Sequence, residues 1–381
     1  MEMNLNVMDA LIENKMSKNQ IYIGNKKSAF KSKEVKGKLI SFENGNYYKI
    51  SNYDAMRPFF MSIVSPSNHW MFISSNGGLS AGRKNSESAL FPYYTDDKIT
   101  ESADITGSKT ILQIHIEGKS YLWEPFSDRY SGIYNIQRNL YKNSYGNKVV
   151  FEEVNEDLGL TFRYQWNSSD VFGFVKKSTL INNSDREIEL TILDGIQNLL
   201  PYGVSSDLQN ASSNLVDAYK KSELEADSGI GIYALSAIIV DRAEPSEALK
   251  ATIAWSAGIK NARYLVSSLQ VDNFRKGIAI EQEVDIKAEK GAYFVCADLI
   301  LQPEIEKSWM IIANVNQSIV SINEISEKIK NENNLSEIIQ DSIELGTQQL
   351  LELNSASDGM QLTADKMRNT RHFSNTLFNI M

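Results

Sequence analysis

The sequence is poor in cysteine and histidine. Its 381 residues contain one cysteine, Cys296, and 3 histidines. A single cysteine excludes both an intrachain disulfide and a cluster of metal-binding thiolates. No two of the histidines have the spacing of a metal site. We therefore expect no cofactor and no metal, and we interpret Cys296 as a small buried hydrophobic residue within an apolar run.

Long apolar runs and a surplus of basic residues are also missing. No segment approaches the ~20 apolar residues of a membrane span, and the acidic N-terminus does not resemble a secretory signal. We therefore expect a cytoplasmic protein with no membrane partner. The 39 basic and 48 acidic residues give a net charge of −9. This charge disfavours a phosphate backbone as partner, so we expect no binding of nucleic acid.

Between residues 20 and 320, apolar residues recur mainly at every second position, which is typical of β-strands. In residues 160–167, Leu160, Phe162, Tyr164 and Trp166 share one face. Asn44-Gly45 predicts a tight hairpin, and only 7 prolines interrupt the chain. The predicted fold is mainly β, a large antiparallel two-layer sandwich rather than a small barrel. Later strands are predicted over 230–240, 250–255, 277–286, 292–301 and 308–315, with a loop and one helical turn over 207–228.

Helical spacing replaces this pattern at both ends of the chain. Residues 7–15 predict a short helix, and Asn334 with Glu337 resembles the start of another. A last helix is predicted over 363–381. The resulting division is an N-terminal helical segment (1–19), the sandwich (20–320) and a helical linker (321–381). Because the linker has little of its own to pack on and ends without a cap, we expect it to lead into a further helical domain.

Residues 74–99 mix glycines, cations, carboxylates and aromatic residues, so we predict an ordered polar loop outside the core. Aromatic faces can cover the C–H side of a sugar ring, while carboxylates and guanidinium groups bond its hydroxyls. The candidate binding residues in this stretch are Arg83, Lys84, Glu87, Tyr93, Asp96 and Asp97. Of these, Arg83, Lys84 and Glu87 are expected to face outward. The alternative is a surface loop held by its own hydrogen bonds.

Other candidates each have a structural alternative. Trp123 could stack on a sugar or belong to the core. His115 could act with a nearby carboxylate as the general acid and base of a mutarotase, or lie on a solvated sheet face. Glu152, Glu153, Glu156 and Asp157 are interpreted as solvated residues that bracket a turn, and Asp194 as a cap at the start of a turn.

Several segments resemble the N-terminal domain of cellobiose and chitobiose phosphorylases. They are residues 77–83 and 87–97, followed in the same order by 121–125, 150–160, 178–184 and 193–203. The resemblance implies a β-supersandwich of the galactose-mutarotase-like kind and a helical linker. In that family an (α/α)6 barrel follows and holds the catalytic acid and the phosphate site.

The function implied by this resemblance is a carbohydrate-binding or assembly domain of a glycoside phosphorylase-like enzyme, or of a related hydrolase or transferase. Its partners would be a di- or oligosaccharide, phosphate in the full-length enzyme, and a second copy in a homodimer. No catalytic residue is assigned, and we expect no turnover by this chain alone. The alternatives are a stand-alone aldose mutarotase-like enzyme and a non-catalytic sugar-binding module.

Overall fold

The computed structural model describes residues 22–27, 33–237, 249–358 and 363–369. The helix predicted over 7–15 and most of the helix predicted over 363–381 lie outside these residues. The strands are, in chain order, β1 (Tyr22–Ile23), β2 (Lys26–Lys27), β3 (Lys36–Phe42), β4 (Gly45–Ser51), β5 (Phe60–Ile63), β6 (His69–Ser74), β7 (Leu79–Arg83), β8 (Ala89–Phe91), β9 (Gly107–Ile116), β10 (Lys119–Trp123), β11 (Ile136–Asn143), β12 (Val149–Asn155), β13 (Leu160–Ser169), β14 (Gly173–Asn182), β15 (Ile188–Leu199), β16 (Lys220–Glu225), β17 (Ile230–Leu235), β18 (Lys250–Ala257), β19 (Arg263–Ser267), β20 (Asp285–Lys287), β21 (Gly291–Leu301) and β22 (Glu306–Ser318). The α-helices are α1 (Asp96–Glu101), α2 (Ser206–Tyr219), α3 (Val271–Arg275), α4 (Ile319–Asn331) and α5 (Leu335–Asp358).

The strands form one large sheet and two smaller ones, besides the β1–β2 pair. The large sheet has 11 strands in the order β20-β16-β17-β18-β22-β14-β13-β12-β11-β4-β3. A 5-stranded sheet has the order β10-β9-β15-β21-β19, and a 4-stranded sheet runs β5-β6-β7-β8. Each of these neighbouring pairs is antiparallel, including the β3–β4 hairpin that Asn44-Gly45 predicted.

The main apolar core joins the large sheet to the two smaller ones. Leu160, Phe162 and Trp166 on β13 are all buried, as their alternation predicted. The same cluster contains Ile192 of the 5-stranded sheet and Ile73 of the 4-stranded sheet. Taking each such side chain out of water contributes about 1.5–3 kcal/mol. The prediction of a mainly β antiparallel sandwich is therefore confirmed.

Helices α4 and α5 pack on the outer face of the large sheet. Ile325 on α4 and Ile339 on α5 belong to one buried cluster with Ile253, Trp255 and Ile312 of the sheet. The expectation that these helices have little to pack on is therefore wrong. The strands carry apolar side chains on both faces, so the sheet offers the helices a second apolar surface.

Two segments differ from the predicted secondary structure. Residues 207–228 hold helix α2 and strand β16 instead of a loop with one helical turn. Ser205 caps α2 by accepting from the backbone N–H of Leu208 at 3.1 Å. The strand predicted over 277–286 is reduced to β20, which begins only at Asp285. Both differences arise because tertiary contacts override weak local periodicity.

Candidate functional site

Residues 74–99 form part of the core and not a polar excursion. They contain β7, β8 and the start of α1, and the side chains of Leu79, Ala81, Leu90 and Phe91 have 0% exposure. Pairing of β7 with β6 and β8 satisfies the backbone of this glycine-rich stretch. The prediction of a loop outside the core is therefore wrong.

Arg83 does not face outward as predicted. Its guanidinium donates to the Asp170 carboxylate at 2.8 Å and to the Asn68 side-chain oxygen at 2.7 Å. Only 16% of the Arg83 side chain is exposed. Because Asp170 lies in the turn between β13 and β14, Arg83 joins the 4-stranded sheet to the large sheet.

The other candidates in the stretch are exposed but dispersed. Lys84 and Glu87 are exposed, and Glu87 accepts from the Ser206 hydroxyl at 2.9 Å. Tyr93 is 44% exposed and packs edge-on against Trp70. Asp96 and Asp97, also exposed, lie in the first turn of α1. The Asp97 carboxylate accepts from the Thr95 hydroxyl and a backbone N–H, and these bonds lower its pKa.

Trp123 lies in the core, which is the second of its two predicted roles, and not on a surface where it could stack on a sugar. Its ring is 2% exposed, and its indole N–H donates to Glu153 at 2.7 Å. Glu152 and Glu153 are themselves buried on β12, which corrects their interpretation as solvated residues. Glu153 also accepts from Arg138 at 2.8 Å, so its buried charge has a partner.

A cleft of about 1300 Å³ opens in the described part of the chain. Its walls come from residues 52–58, from residues 75–77 at the start of the 74–99 stretch, from the end of α1 and the segment that follows it, and from the connection between β10 and β11. Asn76, Gly77, Glu101, Arg129 and Gln137 are among its lining residues. None of the seven candidate residues named from the sequence lines this cleft.

The cations that line the cleft are paired with carboxylates. Lys109 contacts Asp104 at 2.6 Å and Glu124 at 3.1 Å, and Arg275 also binds Glu124, at 2.8 Å. Burial raises the pKa of Glu124, but the hydrogen bonds and charges of Arg275 and Lys109 outweigh it and hold that pKa below its usual value. Arg129 lies 3.7 Å from Asp104. The charges of Lys109, Glu124 and Arg275 are therefore held in place before any ligand binds, whereas the Arg129 side chain is 45% exposed.

A second buried ion pair lies behind the cleft. The side chains of Lys176 and Asp194 have 0% exposure and meet at 2.5 Å. Asp194 also accepts from Trp309 and Ser178 at 2.8 Å each, and from Thr110, which lines the cleft, at 2.5 Å. Asp194 lies inside β15, so its interpretation as the cap of a turn is wrong. Burial lowers the pKa of Lys176, and the Asp194 charge opposes that shift.

The two histidines that the structure describes, His69 and His115, lie away from the cleft. His115 is exposed on β9, where its ring contacts the hydroxyls of Ser120 and Thr191 at 3.0 and 3.3 Å. This is the solvated sheet face of its alternative interpretation. His69 is buried, and burial together with the Arg83 charge lowers its pKa to about 3. His372 lies outside the described residues.

The cleft was missed because its residues are scattered in sequence. Tyr53, Lys109, Arg129 and Tyr164 come from four separate segments. The one available signal was the unusual composition of the glycine-rich stretch 74–99, of which only residues 75–77 reach the cleft. Among the described residues, no group of His, Cys, Asp and Glu is arranged to hold a metal ion. No helix in these residues has the length and apolar character needed to cross a bilayer.

No family model matches the chain, and no curated protein matches it. Solved structures that overlap with it include a bacterial glucoamylase complexed with acarbose, at 10% identity and a TM-score of 0.47, covering 81% of this chain and 39% of that one. A proposed kojibiose phosphorylase from the human microbiome overlaps at 8% identity and a TM-score of 0.31, covering 84% and 39%.

A proposed aldose 1-epimerase from Klebsiella pneumoniae overlaps at 9% identity and a TM-score of 0.31, covering 77% of this chain and 91% of that one. The chain thus spans well under half of the glucoamylase and of the phosphorylase. With TM-scores below 0.5, these overlaps establish no shared activity. The resemblance to cellobiose and chitobiose phosphorylases stays a prediction.

Proposed function

We propose that the cleft binds a saccharide and that the chain is a carbohydrate-binding domain of a carbohydrate-active enzyme. The observation that supports this most is the lining of the cleft. Phenol rings lie at its base, and amides, hydroxyls and fixed ion pairs form its walls. A sugar presents C–H faces and directional hydroxyls, and this combination of groups can bind both.

The volume of the cleft favours a ligand of more than one ring. At about 1300 Å³ it exceeds the roughly 300–1,000 Å³ typical of pockets for drug-sized ligands. A di- or oligosaccharide is therefore the proposed ligand. The resemblance found in the sequence suggests the same ligand class, together with phosphate in a full-length enzyme and a homodimer, and these remain part of the proposal.

Catalysis by this chain is not part of the proposal. His115 is outside the cleft, so the geometry gives no support to a mutarotase-like reaction that uses it. The buried carboxylates of Glu124 and Glu153, beside the cleft, are neutralised by Lys109, Arg275 and Arg138, as expected of groups with a fixed structural charge. A general acid with a raised pKa would need a less compensated environment.

The test is saccharide binding measured by isothermal titration calorimetry. Cellotriose, maltotriose and N-acetylated chitotriose serve as ligands for the wild-type chain. Arg129→Ala and Gln137→Ala remove wall groups of the cleft, and each should weaken binding by about three- to tenfold, the value of one lost hydrogen bond. Lys84→Ala and Asp96→Ala are the controls, because both residues are exposed and lie outside the cleft.

We expect the two controls to bind like the wild type. If instead they lose binding while the Arg129 and Gln137 variants keep it, the ligand lies on the surface of residues 83–97 and the cleft proposal is wrong. If none of the three trisaccharides binds the wild-type chain, the assignment of a carbohydrate ligand is wrong.

A further inference from the structure

Two tyrosines form the base of the cleft. Tyr53 and Tyr164 both line it, although their side chains are only 5% and 2% exposed. The Tyr164 ring is stacked on Phe151 with centroids 4.8 Å apart, and Tyr53 meets the same Phe151 edge-on at 6.1 Å. Packing against one shared ring therefore fixes where both phenol groups lie.

The two hydroxyl groups have no hydrogen-bond partner among the residues that the structure describes. A polar group withheld from both water and protein is costly, so buried tyrosine hydroxyls normally find a partner. For Tyr53 and Tyr164 that partner must come from the cleft, as water in the free protein and as a ligand group in a complex. Burial raises the pKa of both phenols, so both stay protonated and can donate at neutral pH.

The surroundings keep the Tyr164 hydroxyl accessible. Gly77 faces it, and a Cβ atom at position 77 would lie 3.1 Å from the phenol oxygen. Gly77 also has a φ of +95°, a backbone angle that residues other than glycine rarely adopt. Thr110 also lines the cleft, and its hydroxyl donates its hydrogen to Asp194 and can therefore only accept from a ligand. The base of the cleft thus offers two donors and one acceptor.

The charges of the cleft disfavour an anionic ligand. Its cations are engaged by carboxylates, for example Lys33 by Asp54 at 3.0 Å and Arg138 by Asp128 at 2.8 Å. Acidic residues outnumber basic ones among the lining residues, and Glu101 is one of the exposed acids. A carboxylate or phosphate would meet this negative surface, on which Arg129, 45% exposed and 3.7 Å from Asp104, is a loosely held cation.

We propose that Tyr53, Tyr164 and Thr110 form a recognition surface for the hydroxyl groups of an uncharged sugar ring, and that the cleft rejects anionic saccharides. This inference rests on the proposed function and names the class of saccharide and the groups that read it. Since a sugar hydroxyl both donates and accepts, paired phenol donors beside a threonine acceptor match it.

The test uses Tyr164→Phe and Tyr53→Phe, which remove one oxygen each and keep the packing on Phe151. Tyr93→Phe is the matched control, because Tyr93 is exposed and outside the cleft. With cellotriose, maltotriose or N-acetylated chitotriose, whichever binds the wild type best, each cleft variant should bind about tenfold more weakly. The control should bind like the wild type. The thermal unfolding midpoints of all three variants should match that of the wild type. If a hydroxyl had a purely structural role, its removal would lower the midpoint.

Trigalacturonic acid and inorganic phosphate probe the second half of the inference. Both should bind at least about tenfold more weakly than the best neutral trisaccharide. Equal or tighter binding of either anion overturns the rejection of anions, and unchanged binding by both phenylalanine variants overturns the role of the phenols. In both cases saccharide binding in the cleft survives. If no neutral trisaccharide binds the wild-type chain, the proposed function fails and this inference fails with it.

Discussion

Replacing Asp194 by asparagine should destabilise the protein by about 3–5 kcal/mol, because it leaves the Lys176 ammonium group buried without a counter-charge. Both side chains have 0% exposure, and their charged atoms lie 2.5 Å apart. The Asp194 carboxylate also accepts from Trp309 and Ser178. An asparagine NH₂ group would face one or more of these donors. The loss is a large fraction of a typical net stability of about 5–15 kcal/mol.

The assay is urea unfolding followed by circular dichroism and tryptophan fluorescence. Four proteins are compared: the wild type, Asp194→Asn, Lys176→Met and the double variant. Asp194→Asn leaves the Lys176 ammonium group without its counter-charge, and Lys176→Met leaves the Asp194 carboxylate without its counter-charge. The double variant removes both charges. The double variant should therefore be less destabilised than the sum of the single variants by about 1–3 kcal/mol.

Asp96→Asn is the control for removal of a carboxylate, because Asp96 is exposed on α1. It should change the free energy of unfolding by less than about 0.5 kcal/mol. The reasoning is refuted if Asp194→Asn costs less than about 1 kcal/mol. It is also refuted if the two single changes add to within about 0.5 kcal/mol in the double variant, since independent sites behave in that way.

Three further predictions concern other parts of the fold. Arg83→Ala should lower the free energy of unfolding by about 1–2 kcal/mol, because its hydrogen bonds are lost, and should leave saccharide affinity unchanged. The control is Lys84→Ala, a change at the exposed neighbouring residue, which should be neutral in urea unfolding. Loss of affinity without loss of stability in Arg83→Ala would restore a binding role for Arg83. Ile339→Ala should lower the free energy of unfolding by about 2–5 kcal/mol, because Ile339 is buried between α5 and the sheet. Leu345 is 55% exposed on the same helix, so Leu345→Ala should cost under about 1 kcal/mol. Equally small effects of the two changes would mean that the helix does not pack on the sheet. The pKa of His69 is about 3 in the folded protein, below its unfolded value, so its contribution to stability is full above about pH 6.5 and is lost as the pH falls toward 3. Stability should fall by up to about 1.4 kcal/mol per pH unit in that window, and His69→Gln should flatten the slope between pH 6.5 and 5; an unchanged slope would show that His69 is protonated in the folded protein.

Local pattern was sufficient for most of the strands and for the helix that begins after Asn334. Alternation over residues 160–167 placed Leu160, Phe162 and Trp166 on one buried face, because successive side chains of any strand point to opposite sides. The Asn44-Gly45 hairpin and the helix start after Asn334 were equally local signals. From such patterns the class of fold, an antiparallel sandwich followed by helices, could be predicted.

The cleft and the buried charges were decided by tertiary structure. Asp194 and Glu153 are acidic residues whose local sequence suits a turn, and they became buried only because Lys176, Trp309 and Arg138 reach them from other strands. Whether a charge can be buried depends on such partners, since an unpaired charge in the core is too costly. The periodicity of a strand indicates which side chains share a face. It does not indicate which distant strand will lie opposite, and that pairing determines both the ion pairs and the position of Tyr53 beside Tyr164.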